Sequence, residues 1–444
     1  MTGLAKVTVI GGGLAGCEAA YQALKRGLKV TILEMKPKRF SPAHRLGGLA
    51  ELVCSNSFKS TGLENASGLL KEEMRLLGSL VIMAGEATKV PAGLSLAVDR
   101  EAFSVFTTDK LISMGAEIIR QEVSELPDIS GPVIIATGPL TSDGFAPVVA
   151  RLVGRESLYF YDAVAPIVYR ESINMSVAWE ASRYGKGGSD FINCPLGKPE
   201  YDRFVAELIA ADIAPSHGFD AMPLFEGCLP VEALARRGPE TLAFGPMKPV
   251  GLLDPRTGER PHAVVQLRRD NAIGTLYNMV GFQTRLSYGG QERVFRMIPG
   301  LENAEFARLG KLHRNTYIDS PGIILNTCQL AANPMIFFAG QVIGVEGYLE
   351  SSVSGLVAGI NAARLVKGLP LVCPPISTIT GALLDYVSST ESRPLQPMNA
   401  NFGLLPQLAI RFKNSRDKKQ AFSKRALDNL LSWLHETLET SAII

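Results

Sequence analysis

Cysteine is sparse and scattered: the 444-residue chain has six, at 17, 54, 194, 228, 328 and 373, and no Cys-x-x-Cys pair. That spacing argues against a disulfide framework, a thiolate zinc site and a close redox-active pair, and implies free thiols in a reducing cytoplasm. The five histidines have no metal-ligand spacing, so no metal is expected, and His44 and His313 are assigned hydrogen-bonding roles. No uninterrupted apolar run approaches the roughly 18 residues of a membrane-spanning helix, so no membrane partner is expected. The opening Met1-Thr2-Gly3-Leu4-Ala5-Lys6 runs into an apolar stretch broken by glycines, without a signal-peptide cleavage pattern. Neither sign of charge dominates, with a net charge of +2. Internal repeats and low-complexity tracts are lacking, and no pattern identifies a subunit partner.

What is present is the composition of a globular protein, 46% apolar and 20% charged, long enough for two or three domains. Lys6-Val7-Thr8-Val9-Ile10 reads as a buried strand. The glycine-rich turn Gly11-Gly12-Gly13-Leu14-Ala15-Gly16 and a helical pattern through Leu24 follow it, and Gly27 ends that helix before a second strand, Lys29–Glu34. Gly11-x-Gly13-x-x-Gly16 alone is a weak signal. Set between strand and helix, with Glu34 eighteen residues after Gly16, it is the dinucleotide fingerprint. The first glycine permits the turn, the second lets the pyrophosphate approach, the third lets helix and strand pack, and Glu34 meets the ribose. FAD and NAD both satisfy this unit.

A third strand, Pro132–Ala136, leads into Thr137-Gly138. Far along the chain Pro334–Ala339 reads as another buried strand, followed by Gly340-Gln341, the turn Gly344-Val345-Glu346-Gly347-Tyr348 and a small-residue helix from Ser351 to about Val366. Two-segment sheets of this kind resemble FAD-binding proteins, in which the late Ala-Gly turn covers the ribityl chain and flavin; Gln341 stands where many of them carry Asp. The expected fold is α/β, a Rossmann-type FAD-binding domain assembled from N- and C-terminal segments, 1–168 and 310–444, with an inserted α+β domain at 169–309. Within the insert, residues 231–300 hold ten Arg or Lys against six Asp or Glu, and residues 411–425 hold seven basic side chains against one Asp. The chain should end in an amphipathic helix from Phe422, with Ala426, Leu427, Leu430, Leu431, Leu434 and Leu438 on its apolar face.

Five longer segments carry a resemblance: Ala50–Ser57 (AELVCSNS), Tyr159–Val168 (YFYDAVAPIV), Phe225–Pro230 (FEGCLP), Phe244–Leu252 (FGPMKPVGL) and Arg296–Ala304 (RMIPGLENA). With them the chain resembles, over essentially its full length, the folate- and FAD-dependent tRNA (uracil-54-C5)-methyltransferases, the TrmFO family. A larger relative, the MnmG flavoprotein that modifies wobble uridines, shares the late glycine region but carries an extra C-terminal helical domain, and a chain of this length fits it less well. Relatives also act on a ribosomal RNA uridine, and the residues do not separate that target from tRNA.

The resemblance implies FAD, methylenetetrahydrofolate as carbon donor, NADH or NADPH to recharge the flavin, and tRNA as partner. Uracil C5 is a poor nucleophile until a thiolate adds at C6. Cys54 and Cys228, the two cysteines within matching motifs, are carried over as catalytic. Cys228 is assigned the C6 attack and Cys54 the methylene or proton beside the flavin; the reverse pairing satisfies the same residues. Cofactor contacts are expected from Gly11, Gly12, Gly13, Leu14, Ala15, Gly16, Glu34, Gly138, Gly340 and Gln341, with Glu346 and Tyr348 against the pterin. Phosphate contacts are expected from Arg236, Arg237, Lys248, Arg268, Arg269 and Arg285, with the 411–425 stretch as a further candidate. A disulfide oxidoreductase would share the glycine motif, but it needs the cysteine pair this chain lacks.

Overall fold

The computed structural model describes residues 6–127, 130–154, 158–214, 229–392, 395–410 and 412–439. Its first sheet carries the order 329–330, 333–338, 133–135, 6–10, 29–34 and 117–120, parallel except for the edge hairpin at 329–330. Strands from the two ends of the chain lie side by side in it. Apolar runs such as Val7, Val9 and Ile10, or Ile336, Phe337 and Phe338, are buried, as expected for a parallel sheet covered on both faces.

The helices Leu14–Lys25 and Tyr348–Val366 pack on this sheet and on each other. Their approach is set by small residues. A Cβ on Gly355 would lie 2.1 Å from the carbonyl oxygen of Ala15, and one on Gly359 2.4 Å from that of Ala19, so any larger side chain would force the helices apart.

A second six-stranded sheet takes all its strands from the interior of the sequence, between Ile167 and Arg308, and pairs them antiparallel. It has a core of its own, which includes Val168, Phe204, Val265, Phe282 and Phe295. The chain segments that enter and leave it, Leu158–Ala163 and Leu312–Tyr317, pair with each other as a two-stranded ribbon.

The terminal helix runs over Ser415–Leu434, starting seven residues before the expected Phe422. The Asn414 side chain explains the earlier start, since its Oδ1 accepts the Asp417 N–H at 2.7 Å as an N-cap. Of the expected apolar face, Ala426 and Leu430 are buried and Leu431 is half exposed.

A buried carboxylate also joins the two ends of the chain. Glu73, on the helix Ala66–Leu76, accepts the N–H groups of Ile379 and Thr380 at 2.8 Å each and the Thr380 hydroxyl at 2.7 Å. It thereby caps the helix Ile379–Ser388. Burial pushes its pKa up from 4.5 to about 7, with the three donated bonds pulling the other way. The unfolded chain therefore releases this proton first, and the contribution to stability is full below 4.5 and lost as pH rises through about 7. Glu73→Ala should cost at least about 2 kcal/mol by orphaning buried donors, measured by denaturant unfolding, and the cost should be larger at acidic than at alkaline pH. A variant as stable as the parent, or an equal cost at both pH values, would contradict this role.

Candidate active site

The three motif glycines do different work. Gly11 has φ +103°, and a Cβ there would lie 2.4 Å from the Ala136 carbonyl oxygen; one on Gly16 would lie 1.9 Å from that of Gly11. Both positions are fixed by the fold itself. Gly13 has an ordinary extended backbone, φ −75° and ψ −172°, and nothing lies within 4 Å of a Cβ built on it. The protein alone does not require glycine at 13; a ligand approaching this backbone does.

Gly13 is also the N-cap of the helix Leu14–Lys25 and supplies no side-chain cap, so the first N–H groups of that helix face the space beside it. Glu34 is buried at the end of its strand. One carboxylate oxygen accepts the Gly12 N–H at 2.7 Å and the other the Lys36 N–H at 2.9 Å. Each oxygen keeps a lone pair, and the side chain still borders the cavity, so a ribose diol can be received by a carboxylate already fixed in place.

That cavity, partly open to solvent, takes in about 1040 Å³ with its mouth and is lined from both ends of the chain, by Gly11, Gly13, Glu34 and Gly138 and by Gly340, Gln341 and Tyr348. Gly340, at φ +90°, donates its N–H to Ser354 Oγ at 2.7 Å. A glycine cradle at a helix N-terminus, a fixed carboxylate and a long two-sided cavity fit FAD. Leu14 and Ala15 also border it, whereas Gly12 and Gly16 support it from behind. Glu346 is buried and turned to the Gln341 side-chain amide. It thereby holds Gln341, which lines the cavity.

Tyr348 borders the cavity and reaches out of it. Its hydroxyl oxygen accepts the Cys54 N–H at 2.8 Å, and its ring tilts against Phe58 at 5.8 Å. Burial pushes the phenol's pKa up. Cys54 is partly exposed on the loop that precedes the strand Ser57–Ser60, beside the inserted sheet. Arg100 Nη2 donates to the Cys54 carbonyl at 3.0 Å and Nη1 to that of Leu52, while Nε pairs with the buried Asp270 carboxylate at 2.9 Å. Burial alone would lower the Arg100 pKa, but Asp270 outweighs it and the net shift is upward. Arg268 Nη2 donates to Ser55 Oγ at 2.7 Å and Nε to Asn56 Oδ1 at 2.9 Å. Asn56 in turn donates to the Val98 and Arg269 carbonyls at 2.9 Å each. The Cys54 loop is thus bolted to the inserted sheet by buried polar groups.

Arg268 is consequently not available to phosphate. It is buried, and burial lowers its pKa to about 10. Arg285 pairs with the buried Glu232 at 3.4 Å, and Arg269 is half buried. Arg236, Arg237 and Lys248 are exposed, as are Lys413, Arg416, Lys418, Lys419 and Lys424. Arg425 is held by the carbonyls of Pro406 and Gln407 at 2.6 and 3.1 Å. Cys228, Arg411 and the side chain of His313 lie outside the described residues. His44 Nδ1 meets Ser41 Oγ at 2.5 Å at the cavity edge. Cys17, Cys194 and Cys328 are buried and their thiols pushed up by burial, and Cys373 is pushed up to about 12, so none of these four is a ready thiolate. Among the described residues no cluster of His, Cys, Asp or Glu could hold a metal, and no helix is long and apolar enough to cross a membrane.

Arg100 and Asp270 were not anticipated. Each is a single charged residue with no local motif, and only the fold brings them together from 170 positions apart.

The family described as glucose inhibited division protein A matches residues 6–370. A methylenetetrahydrofolate–tRNA-(uracil-5-)-methyltransferase TrmFO of Geotalea uraniireducens is 56% identical over 97% of this chain and 99% of its own length. That of Heliobacterium modesticaldum is 54% identical over 97% of this chain and 98% of its own. Among solved structures, Aquifex aeolicus GidA superposes with a TM-score of 0.67 at 18% identity, covering 98% of this chain and 79% of that one; at that identity the likeness shows the fold.

Gly13→Val should leave helix content and thermal unfolding close to the parent and abolish bound flavin, whereas Gly16→Val should fail to fold. Circular dichroism and the flavin absorption band measure both. Full flavin occupancy in Gly13→Val would contradict the placement of the pyrophosphate.

Proposed function

The chain belongs to the TrmFO family of methylenetetrahydrofolate–tRNA-(uracil-5-)-methyltransferases, within the wider glucose inhibited division protein A family, and we propose that it forms 5-methyluridine at the T-loop uridine of tRNA in the cytoplasm. The observation that carries this reading is the position of Cys54, bonded through its N–H to a tyrosine that lines the dinucleotide cavity. A thiol so held can act on a base and a one-carbon unit brought to the flavin end of that cavity.

FAD, when bound and reduced, supplies the hydride that turns a methylene into a methyl group. The chain's own residues do the rest. The helix N-terminus and Gly13 receive the pyrophosphate, and Glu34 the ribose. Tyr348 and Arg100 fix the Cys54 backbone from its two sides, which keeps the thiol from swinging away when substrate enters. Cys228 supplies the second thiol, assigned to attack at uracil C6. The exposed Arg236, Arg237 and Lys248 contact RNA phosphates, and NADH or NADPH recharges the flavin.

The test is incubation with tRNA lacking 5-methyluridine, labelled methylenetetrahydrofolate and a nicotinamide donor. Label should appear at the T-loop uridine; label only in ribosomal RNA or at a wobble uridine would overturn the tRNA target. Cys54→Ala and Cys228→Ala should each eliminate transfer and keep bound FAD. With 5-fluorouridine at the target, Cys228→Ala should form no covalent protein–RNA adduct. An adduct that survives in Cys228→Ala and disappears in Cys54→Ala would reverse the two roles.

A further inference from the structure

On the inserted domain, the turn Arg183-Tyr184-Gly185-Lys186 holds an aromatic side chain where the backbone disfavours one. Tyr184 has φ 57° and ψ 21°, Gly185 has φ 63°, and the Lys186 N–H closes the turn on the Arg183 carbonyl at 3.2 Å. Asparagine or glycine is the usual occupant of such a position, and a bulky side chain there is strained. Burial does not offset the strain, because Tyr184 is 65% exposed. Its ring rests on Gly251, where a Cβ would lie 2.9 Å from two ring atoms, and its N–H donates to the Gly251 carbonyl at 2.8 Å.

The ring is the centre of a patch. Around Gly251, Val250 is 41% and Leu253 64% exposed. Lys186 Nζ lies 6.0 Å from the ring centroid, and Lys248, two positions before Val250, is exposed. Apolar surface with a bare aromatic ring among lysines suits a ligand made of flat bases on a phosphate chain.

The patch also lies along the sheet face that meets the Cys54 loop. Arg183 donates from Nη1 to the Val250 carbonyl at 2.7 Å and from Nε to Gln266 Oε1 at 2.8 Å. Gln266 and Arg268 alternate on the strand Ala263–Arg269, so they share a face and stand about 7 Å apart. Arg268 is the residue that reaches Ser55, next to Cys54. A nucleic-acid strand following this face would present one base to the thiol and a neighbouring one to the ring.

We propose that Tyr184 is a stacking platform for an unpaired base in the RNA loop that carries the target uridine. The inference rests on the tRNA methylation reading above.

Tyr184→Asn tests it, because asparagine suits the turn and removes the ring. That variant should keep bound FAD and unfold at or above the temperature of the parent. Its Kd for tRNA lacking 5-methyluridine should rise about 5- to 150-fold, with the salt dependence of binding and the kcat at saturating tRNA unchanged. Tyr184→Phe should bind as the parent does, and Tyr184→Gly carries the test if the Asn variant loses FAD. An unchanged Kd in the ring-less variants would overturn the proposal. A weaker Kd with a shallower salt dependence would identify a phosphate contact instead, and a Phe variant as weak as the Asn variant a hydrogen bond from the phenol; either overturns stacking. Parent affinity for tRNA combined with a changed mass in sedimentation would make the patch an interface between copies of the chain, and would overturn it too. A parent that neither binds nor methylates tRNA would remove the underlying reading, whereas an active parent with an equally tight Tyr184→Asn would remove this inference alone.

Discussion

Everything at the site depends on how closely two helices from opposite ends of the chain can approach. Gly355 and Gly359 let the helix Tyr348–Val366 rest on the backbone of Leu14–Lys25, against carbonyls that a Cβ would meet at 2.1 and 2.4 Å. Because Tyr348 is the first residue of that late helix, the contact sets its hydroxyl relative to the glycine turn at the start of the early one. The hydroxyl then receives the Cys54 N–H at 2.8 Å. Dinucleotide cradle, tyrosine and thiol are linked through a single packing contact, and interiors resist the shifts that would loosen it.

The second constraint is the polar seam between the domains. Replacing a buried ion pair such as Arg100–Asp270 by apolar side chains is often neutral, whereas removing one partner is costly. Its contribution here is to position: the arginine reaches the carbonyls of Leu52 and Cys54 from a carboxylate on the inserted domain. The Cys54 loop is therefore held by groups of both domains. The ribbon of Leu158–Ala163 with Leu312–Tyr317 ties the two crossings together at the same boundary.

The strand–glycine–helix unit and the late Ala-Gly turn were legible because their chemistry is local: a tight turn, a close approach and a ribose carboxylate each demand particular residues at fixed spacing. The buried charges were not. Arg268 looks from sequence like any other arginine in a basic stretch, and only the fold shows that its guanidinium is consumed by Ser55 and Asn56. Glu346 is buried and accepts from the side chain of Gln341, a partner that no spacing encodes. Arg100 and Asp270 carry no motif, because their meaning lies in the partner each gains across the seam. The early start of the terminal helix was written in Asn414, a capping residue obscured by the basic run around it.

The central claim is that the dinucleotide cavity and the uridine site are one reaction centre, with reduced flavin rather than folate as the source of hydride. Hydrogen on reduced flavin exchanges with water, whereas hydrogen at C6 of the reduced folate does not. Turnover in D₂O with unlabelled methylenetetrahydrofolate, followed by mass analysis of the 5-methyluridine, therefore distinguishes the two sources. Solvent deuterium in the methyl group is the result this account predicts; a methyl group free of solvent deuterium would contradict it.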